Sequence, residues 1–210
     1  MKVAILGGSG KLGMGLAFRL VQTGHEVTIG SRDRAKALAA AAEAGERVLG
    51  STNDEAAQWC DLAFISVPYS SHSALMENLR GGLSGKLIID ATVPIDPADI
   101  LQTKTVSGKS AAEETAEIIP DAHVYAAFQT VSHHVLRKPD PHYDVLVAGP
   151  PTRKPEVIGL VKSMGLHPVD AGTLKAAGHL ERMTLLLISI NKANKVKESG
   201  IKITGLEGHQ

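Results

Sequence analysis

Leu6-Gly7-Gly8-Ser9-Gly10-Lys11-Leu12-Gly13 directly follows the apolar run Val3-Ala4-Ile5. Gly8, Gly10 and Gly13 satisfy G-x-G-x-x-G, with one more glycine at Gly7. The hexapeptide alone is weak; its place between an apolar strand and an Ala- and Leu-bearing helix gives it meaning. Each glycine has its own task. Gly8 permits the tight turn out of the strand, Gly10 has no Cβ to keep a pyrophosphate away, and Gly13 lets the helix lie close to the sheet. Unpaired N–H groups and the positive helix end then hold the phosphate charge. The stretch predicts a dinucleotide-binding βαβ unit.

Outward from that loop, segments 3–6, 26–29, 62–67 and 86–90 read as strands, and helices begin near Lys11, Arg34, Asp54 and His72. Nearly continuous apolar strands separated by helices predict a parallel sheet covered on both faces, and right-handed crossovers make it doubly wound. The fold class is α/β, Rossmann-type, with a small C-terminal, mainly helical extension. Residues 1–150 form the expected nucleotide-binding domain and 151–210 the extension. Segment 94–109 reads as a loop, and Ser110-Ala111-Ala112-Glu113 as a capping box that starts a helix. Strands are expected at 123–127, 143–148 and 167–170, a polar loop at 133–142, and helices at 152–164 and 175–197. Within the last helix Leu180, Met183, Leu187, Ile190 and Asn194 are spaced three and four apart, a stripe that reads as core or dimer face, or as a ligand lining.

The second strand ends in Ile29-Gly30-Ser31-Arg32, with Lys36 a helical turn on. An NAD site places a carboxylate here for the ribose 2′-hydroxyl. A hydroxyl, a guanidinium and an ammonium suit a 2′-phosphate instead, which selects NADP. Asp33 lies past that slot and is expected to face solvent or cap the next helix. Val67 and Pro68 end the strand beginning at Leu62, where such sheets bind ligands, and should flank the adenosine ribose or the nicotinamide half; a plain strand-to-loop break explains them equally well.

Composition excludes other classes. Of 210 residues, 43% are hydrophobic and 21% charged, as in globular proteins. Lys+Arg and Asp+Glu each number 22, so no global basic field exists for nucleic acid or an anionic membrane, and 3% aromatic content is too low for an RNA-stacking platform. Cys60 is the single cysteine, which fits a reducing compartment; it reads as a small buried apolar residue. The opening apolar run is too short for a signal peptide, and 185–190 falls far below the roughly 20 residues a membrane span needs. A cytoplasmic protein is expected. Gly108-Lys109-Ser110 resembles the end of a P-loop, but Thr103 stands where the first glycine is required. His133, His134 and His142 lack the companions of a metal site, so none is expected, and no G-x-S-x-G elbow occurs.

The chain resembles the NADP-dependent deazaflavin reductases, which exchange hydride between NADP(H) and coenzyme F420. The marks are the glycine-rich stretch 6–13, Gly24-His25-Glu26, Gly30-Ser31-Arg32 with Lys36, Cys60-Asp61, Val67-Pro68, Thr92-Val93-Pro94, Ser110 to Glu113 and Val169-Asp170-Ala171-Gly172. The resemblance implies that Ser9, Gly10, Lys11, Leu12, Ser31, Arg32 and Lys36 bind the NADP phosphates. It places Val67, Val93 and His133 along the nicotinamide half, and Gln129-Thr130-Val131 against the deazaflavin ring. Gln129 stands where archaeal members have His, and His133 and His134 where they have small residues. Direct hydride transfer between stacked rings needs orientation and water exclusion rather than an acid–base pair, so no catalytic side chain is assigned. His133 either reaches the ring or is a solvated loop histidine. A homodimer is implied, built on the last helix. Two alternatives stay open: an NADPH-dependent reductase of another acceptor (a flavin, ferric iron, an imine or a carbonyl), and a non-enzymatic NADP(H) sensor.

Overall fold

Alternation of side chains across each strand divides the interior into two layers. Val3 and Ile5 of β1 (Lys2–Leu6) face one side of the sheet and Ala4 and Leu6 the other, all fully buried. β1 pairs in parallel with β2 (Glu26–Ser31) and β4 (Leu62–Ile65). The sheet extends through β3 (Val48–Thr52), β5 (Leu87–Asp90) and β8 (His123–Ala126) in the order β3-β2-β1-β4-β5-β8, all parallel. α1 (Lys11–Gln22) and α2 (Arg34–Ala44) contribute Leu16, Leu20 and Ala37 to the first layer. α3 (Asn53–Trp59), α4 (His72–Leu83) and α5 (Ala111–Ile118) contribute Ala56, Met76, Leu79 and Ala112 to the second. The computed structural model describes residues 1–139 and 141–206; residue 140, in the expected polar loop, and 207–210, closing the expected extension, lie outside the described residues.

After β8 the chain forms β9 (Asp144–Val147), α6 (Lys154–Ser163) and β10 (His167–Asp170), a parallel two-stranded unit joined to the main sheet by one antiparallel bridge, Ala126 to Ala148. Val145 and Val147 enter the first layer and Leu146 and Ala148 the second, so this unit extends both cores. α7 (Ala177–Asn194) then crosses back, burying Leu180 and Glu181. Among the described residues no helix is long and apolar enough to cross a membrane.

Four sequence expectations are corrected. β3 joins the sheet where the sequence shows no strand, because Gly50 and its polar neighbours break the apolar run; the glycine is required since a Cβ there would lie 2.7 Å from the backbone of Ala37 in α2. Segment 94–109 is not simply a loop: β6 (Ile95–Asp96) and β7 (Asp99–Thr103) form a small hairpin. Asp96 and Asp99 accept from the N–H groups of Ala98 and Leu101, the local turns that let two prolines precede a strand. The helix expected at 152–164 spans only Lys154–Ser163. The one expected at 175–197 starts at Ala177 after a 3-10 turn and stops where Lys195 turns left-handed. Its expected stripe is split: Leu180 and Leu187 are core, whereas Met183 and Ile190 face outward.

Candidate functional site

The strand order reverses at β1, and the crevice beyond the carboxyl ends of β1 and β4 is where sheets of this kind hold ligands. The glycine-rich turn sits there. Gly7, not Gly8, carries the left-handed conformation (φ 70°) that turns the chain, and Gly8 N–H closes the turn on Ile5 O at 3.1 Å. Gly8 is needed for space, since a Cβ would meet Ile5 O at 2.6 Å. Gly13 is needed more strictly: its Cβ would lie 2.4 Å from Gly8 Cα. At Gly10 the nearest atom to a Cβ is Gly7 O at 3.8 Å, so the fold itself leaves room there. Lys11 and Leu12 open α1, which carries no side-chain cap and no acid in its first turn. Asp33 caps α2, Thr52 caps α3 and Ser110 caps α5, whereas α4, α6 and α7, like α1, carry no side-chain cap. Ser9, Gly10 and the first N–H groups of α1 thus form an exposed cradle, with donors of the kind that suit an anion.

Next to this cradle, buried Ser31 ends β2 with its Oγ accepting from Asp33 N–H. Asp33 accepts from Ala35 and Lys36 N–H as the α2 cap, one of the two roles expected of it. Arg32 and Lys36 are exposed and have no carboxylate partner among the described residues, while Arg34 is spent on Glu55 at 3.0 Å. The two unengaged cations and the hydroxyl lie on the slot an NAD site gives to a carboxylate.

Val67 leans on the glycine turn, so close that a Cβ on Gly7 would meet its Cγ1 at 2.3 Å; Pro68 is exposed beside it. Val93 is half-buried past the end of β5. Gln129 and Val131 are buried, and Val131 belongs to the first core layer. Gln129 does not present its amide to solvent: Nε2 donates to Asp90 O at 2.7 Å, and Oε1 is buried without a protein partner, as is Thr92 Oγ1. His133 is half-buried, its ring 4.0 Å from that of His134 and tilted by 34°; burial, then the charges of His134, Lys11 and Arg137, lower its pKa and favour the neutral ring. Its backbone carbonyl lies over α1, 3.2 Å from where a Cβ on Gly15 would stand. The phosphate cradle adjoins the end of β2 through Gly8 N–H to Gly30 O at 3.0 Å, Val67 packs on the glycine turn, and the two orphaned oxygens follow the ends of β5 and β8. Open cradle, uncapped helix and unengaged cations fit NADP.

Three features escaped the sequence reading. Buried Asn53 accepts from Gly7 N–H at 3.1 Å and fixes the glycine turn. Phe128 adopts φ 71°, a strained conformation for a bulky side chain, and stacks edge-on against Phe64, turning Gln129 back toward β5. Asp90 is fully buried and accepts from His72 at 2.8 Å and Thr115 at 2.7 Å through Oδ2, and from Thr92 N–H through Oδ1. Only the His72 and Asp90 residue types hinted at such a pairing; nothing in spacing joined them.

The strand order and glycine-rich turn define a Rossmann-class protein. Residues 2–94 match the family described as NADP oxidoreductase, coenzyme F420-dependent. The F420-dependent NADP reductase of Methanothermobacter marburgensis is 36% identical over 98% of this chain and 99% of its own length. That of Methanocaldococcus jannaschii is 35% identical over 99% of this chain and all of its own. A crystal structure of an Arthrobacter sp. FB24 protein, put forward as an F420-dependent NADP-reductase, superposes with TM-score 0.85 at 26% identity, covering 97% of this chain and 99% of that one. The chain belongs to the F420-dependent NADP reductase family.

Proposed function

We propose that this protein transfers hydride between NADP(H) and a deazaflavin coenzyme of the F420 type, acting as a cytoplasmic homodimer. The observation that carries it is the joining, in one crevice, of an uncapped glycine-rich helix start with Ser31, Arg32 and Lys36. Ser9 to Gly13 hold the pyrophosphate, and the β2 end selects the 2′-phosphate. When bound, the nicotinamide and the deazaflavin supply the hydride donor and acceptor. Val67, Pro68 and Val93 wall the nicotinamide half and keep water from it, with His133 at its edge. Thr92 and Gln129 bring polar oxygens that lack protein partners to the acceptor side. No acid–base residue is required: His72 is fully buried and held by Asp90. Cys60 takes no part, since burial pushes its thiol pKa up and it donates to Ala57 O; one sheltered thiol suits a reducing compartment.

The test is stopped-flow mixing of NADPH-loaded protein with coenzyme F420 and, separately, with FMN and a ferric chelate. Rapid bleaching of the deazaflavin absorbance, with the other acceptors at background, is expected. Faster reduction of FMN or the chelate would transfer the assignment to that acceptor, and tight NADPH binding with no turnover of any acceptor would replace it by the sensor reading.

A further inference from the structure

Beside the crevice lies a second cavity of about 360 Å³, between the β7–α5 connection and the start of α7. Four cations line it: Lys104 and Lys109 from the connection, Lys175 from the 3-10 turn before α7, and Arg182 from α7 itself. In a chain of zero net charge this is a marked local excess. Lys109 is partly answered by its pairing with Glu117, and Arg182 donates to His179. Lys104 and Lys175 are exposed and have no carboxylate partner among the described residues. Two acids also line the cavity. Glu113 is occupied by the N–H and hydroxyl of Ser110. Glu181, only 1% exposed, accepts from Ala111 N–H at 2.8 Å. Burial, reinforced by the charges of Asp90 and Glu113 against the Ala111 hydrogen bond and Arg182, pushes its pKa up to about 8. Burial thus biases the acid at the cavity floor toward its neutral form, and the α5 helix start is already capped. The positive charge comes from side chains alone.

Two links join this cavity to the crevice. Lys104 N–H donates to Pro94 O at 2.8 Å, directly after Val93. Glu181 lies one helical turn before Thr184, whose hydroxyl donates to Gln129 O at 2.9 Å. An acceptor seated against Val93 and Gln129 would have this cavity within reach of a side chain. We infer that the cavity formed by Lys104, Lys175, Arg182 and Glu181 is a subsite for the anionic side chain of the hydride acceptor, one bearing phosphate or carboxylate groups, and that it selects such acceptors over neutral rings. The inference rests on the reductase reading above and adds to it the residues of this chain that would hold the charged end of the acceptor. Gly108-Lys109-Ser110, rejected as a P-loop, thereby gains a place in an anion site of another kind.

The experiment is an equilibrium titration of NADP⁺-loaded protein, at low ionic strength, with coenzyme F420 and with the same deazaflavin truncated at its ribityl hydroxyl. Wild-type protein should bind the full coenzyme at least tenfold more tightly, and added salt should shrink the gap. Lys104→Ala/Lys175→Ala should lose that preference, with NADPH affinity, truncated-ring affinity and melting temperature unchanged. Equal wild-type affinities for the two ligands, or an unaltered preference in the double variant, would overturn the subsite and leave the reductase reading intact. Direct calorimetry with inorganic pyrophosphate and with a triglutamate peptide separates phosphate from carboxylate recognition. It also decides the case in which neither deazaflavin binds. Binding of either anion by wild type but not by the double variant would then sustain the anion site while the reductase reading falls, and no difference would end both.

Discussion

A side chain added at Gly10 and one added at Gly13 have opposite consequences. Room exists at Gly10 in the folded chain, so Gly10→Val should melt within a few degrees of wild type while filling the space where a pyrophosphate must lie; NADPH binding is expected to fall at least a hundredfold, about 2.7 kcal/mol. Gly13→Val places atoms against Gly8 backbone at 2.4 Å and should cost about 1–3 kcal/mol of stability by overpacking. Calorimetric titration beside a thermal melt separates the two, and a normal NADPH titration of Gly10→Val would remove the loop as the phosphate site. The same logic sorts the arginines at the β2 end. Arg32 is unengaged and Arg34 is committed to Glu55. Wild-type protein should prefer NADPH to NADH at least tenfold, about 1.4 kcal/mol. Arg32→Ala should erase most of that preference and Arg34→Ala very little. Equal affinities for the two dinucleotides in wild type would contradict the role given to Ser31, Arg32 and Lys36.

Elements were legible where local pattern and tertiary need coincide. β1, β4 and β5 are buried on both faces and so carry unbroken apolar runs, which sequence alone reveals. β3 is an edge strand interrupted by the glycine that α2 demands, and the β6–β7 hairpin is written in turn residues and prolines, so neither shows a clean period. The glycine loop and β2 end were legible because their chemistry is contiguous. The Asp90 network was not, because it links the first residue of α4, the last of β5 and the middle of α5. Removing one partner of a buried pair leaves an uncompensated charge, so Asp90→Asn should destabilise by about 3–5 kcal/mol near pH 6. It should also loosen Thr92 and weaken acceptor binding more than NADPH binding. The pH dependence has a defined sign. Burial favours neutral Asp90, but the His72 charge and hydrogen bond outweigh it and hold the carboxyl below 3.8; that stability is lost as pH falls through the folded value. Burial likewise opposes the His72 charge, and Asp90 overcomes it, raising His72 above 6.5; that stability is lost as pH rises through the folded value. The difference between wild type and His72→Gln in denaturant unfolding should therefore be largest between pH 3.8 and 6.5 and shrink as pH rises through the folded His72 value or falls through that of Asp90. A difference that is flat across this range would show that the pair is neutral in the folded protein.

For the molecule as a whole, the open question is what covers its outer apolar face. Met183, Leu186 and Ile190 form a stripe on the outside of α7, with Leu186 59% exposed. The adjoining hairpin shows Ile100 and Leu101, the latter at 57%, and the connection that follows it shows Val106 at 94%. A two-stranded hairpin is marginal by itself in water, and a contiguous apolar surface of this kind marks an interface more often than a free face. The surface is made from one helix and one hairpin of the same chain, so a second copy related by a twofold axis can bury both at once, the commonest closed assembly. Leu180 and Leu187 are excluded from it because they are already core, which narrows the expected contact to the outward stripe. Light scattering at micromolar concentration should give twice the 22.1 kDa chain mass. Leu186→Glu/Leu101→Glu should give a folded monomer, because neither side chain supports the core. Since α7 also carries Glu181, Arg182 and Thr184, loss of the dimer should loosen that helix and weaken acceptor binding, with NADPH binding at the glycine-rich turn spared. A 22 kDa particle for the wild-type protein would refute the dimer, and a double variant that still dimerises would place the contact on another face.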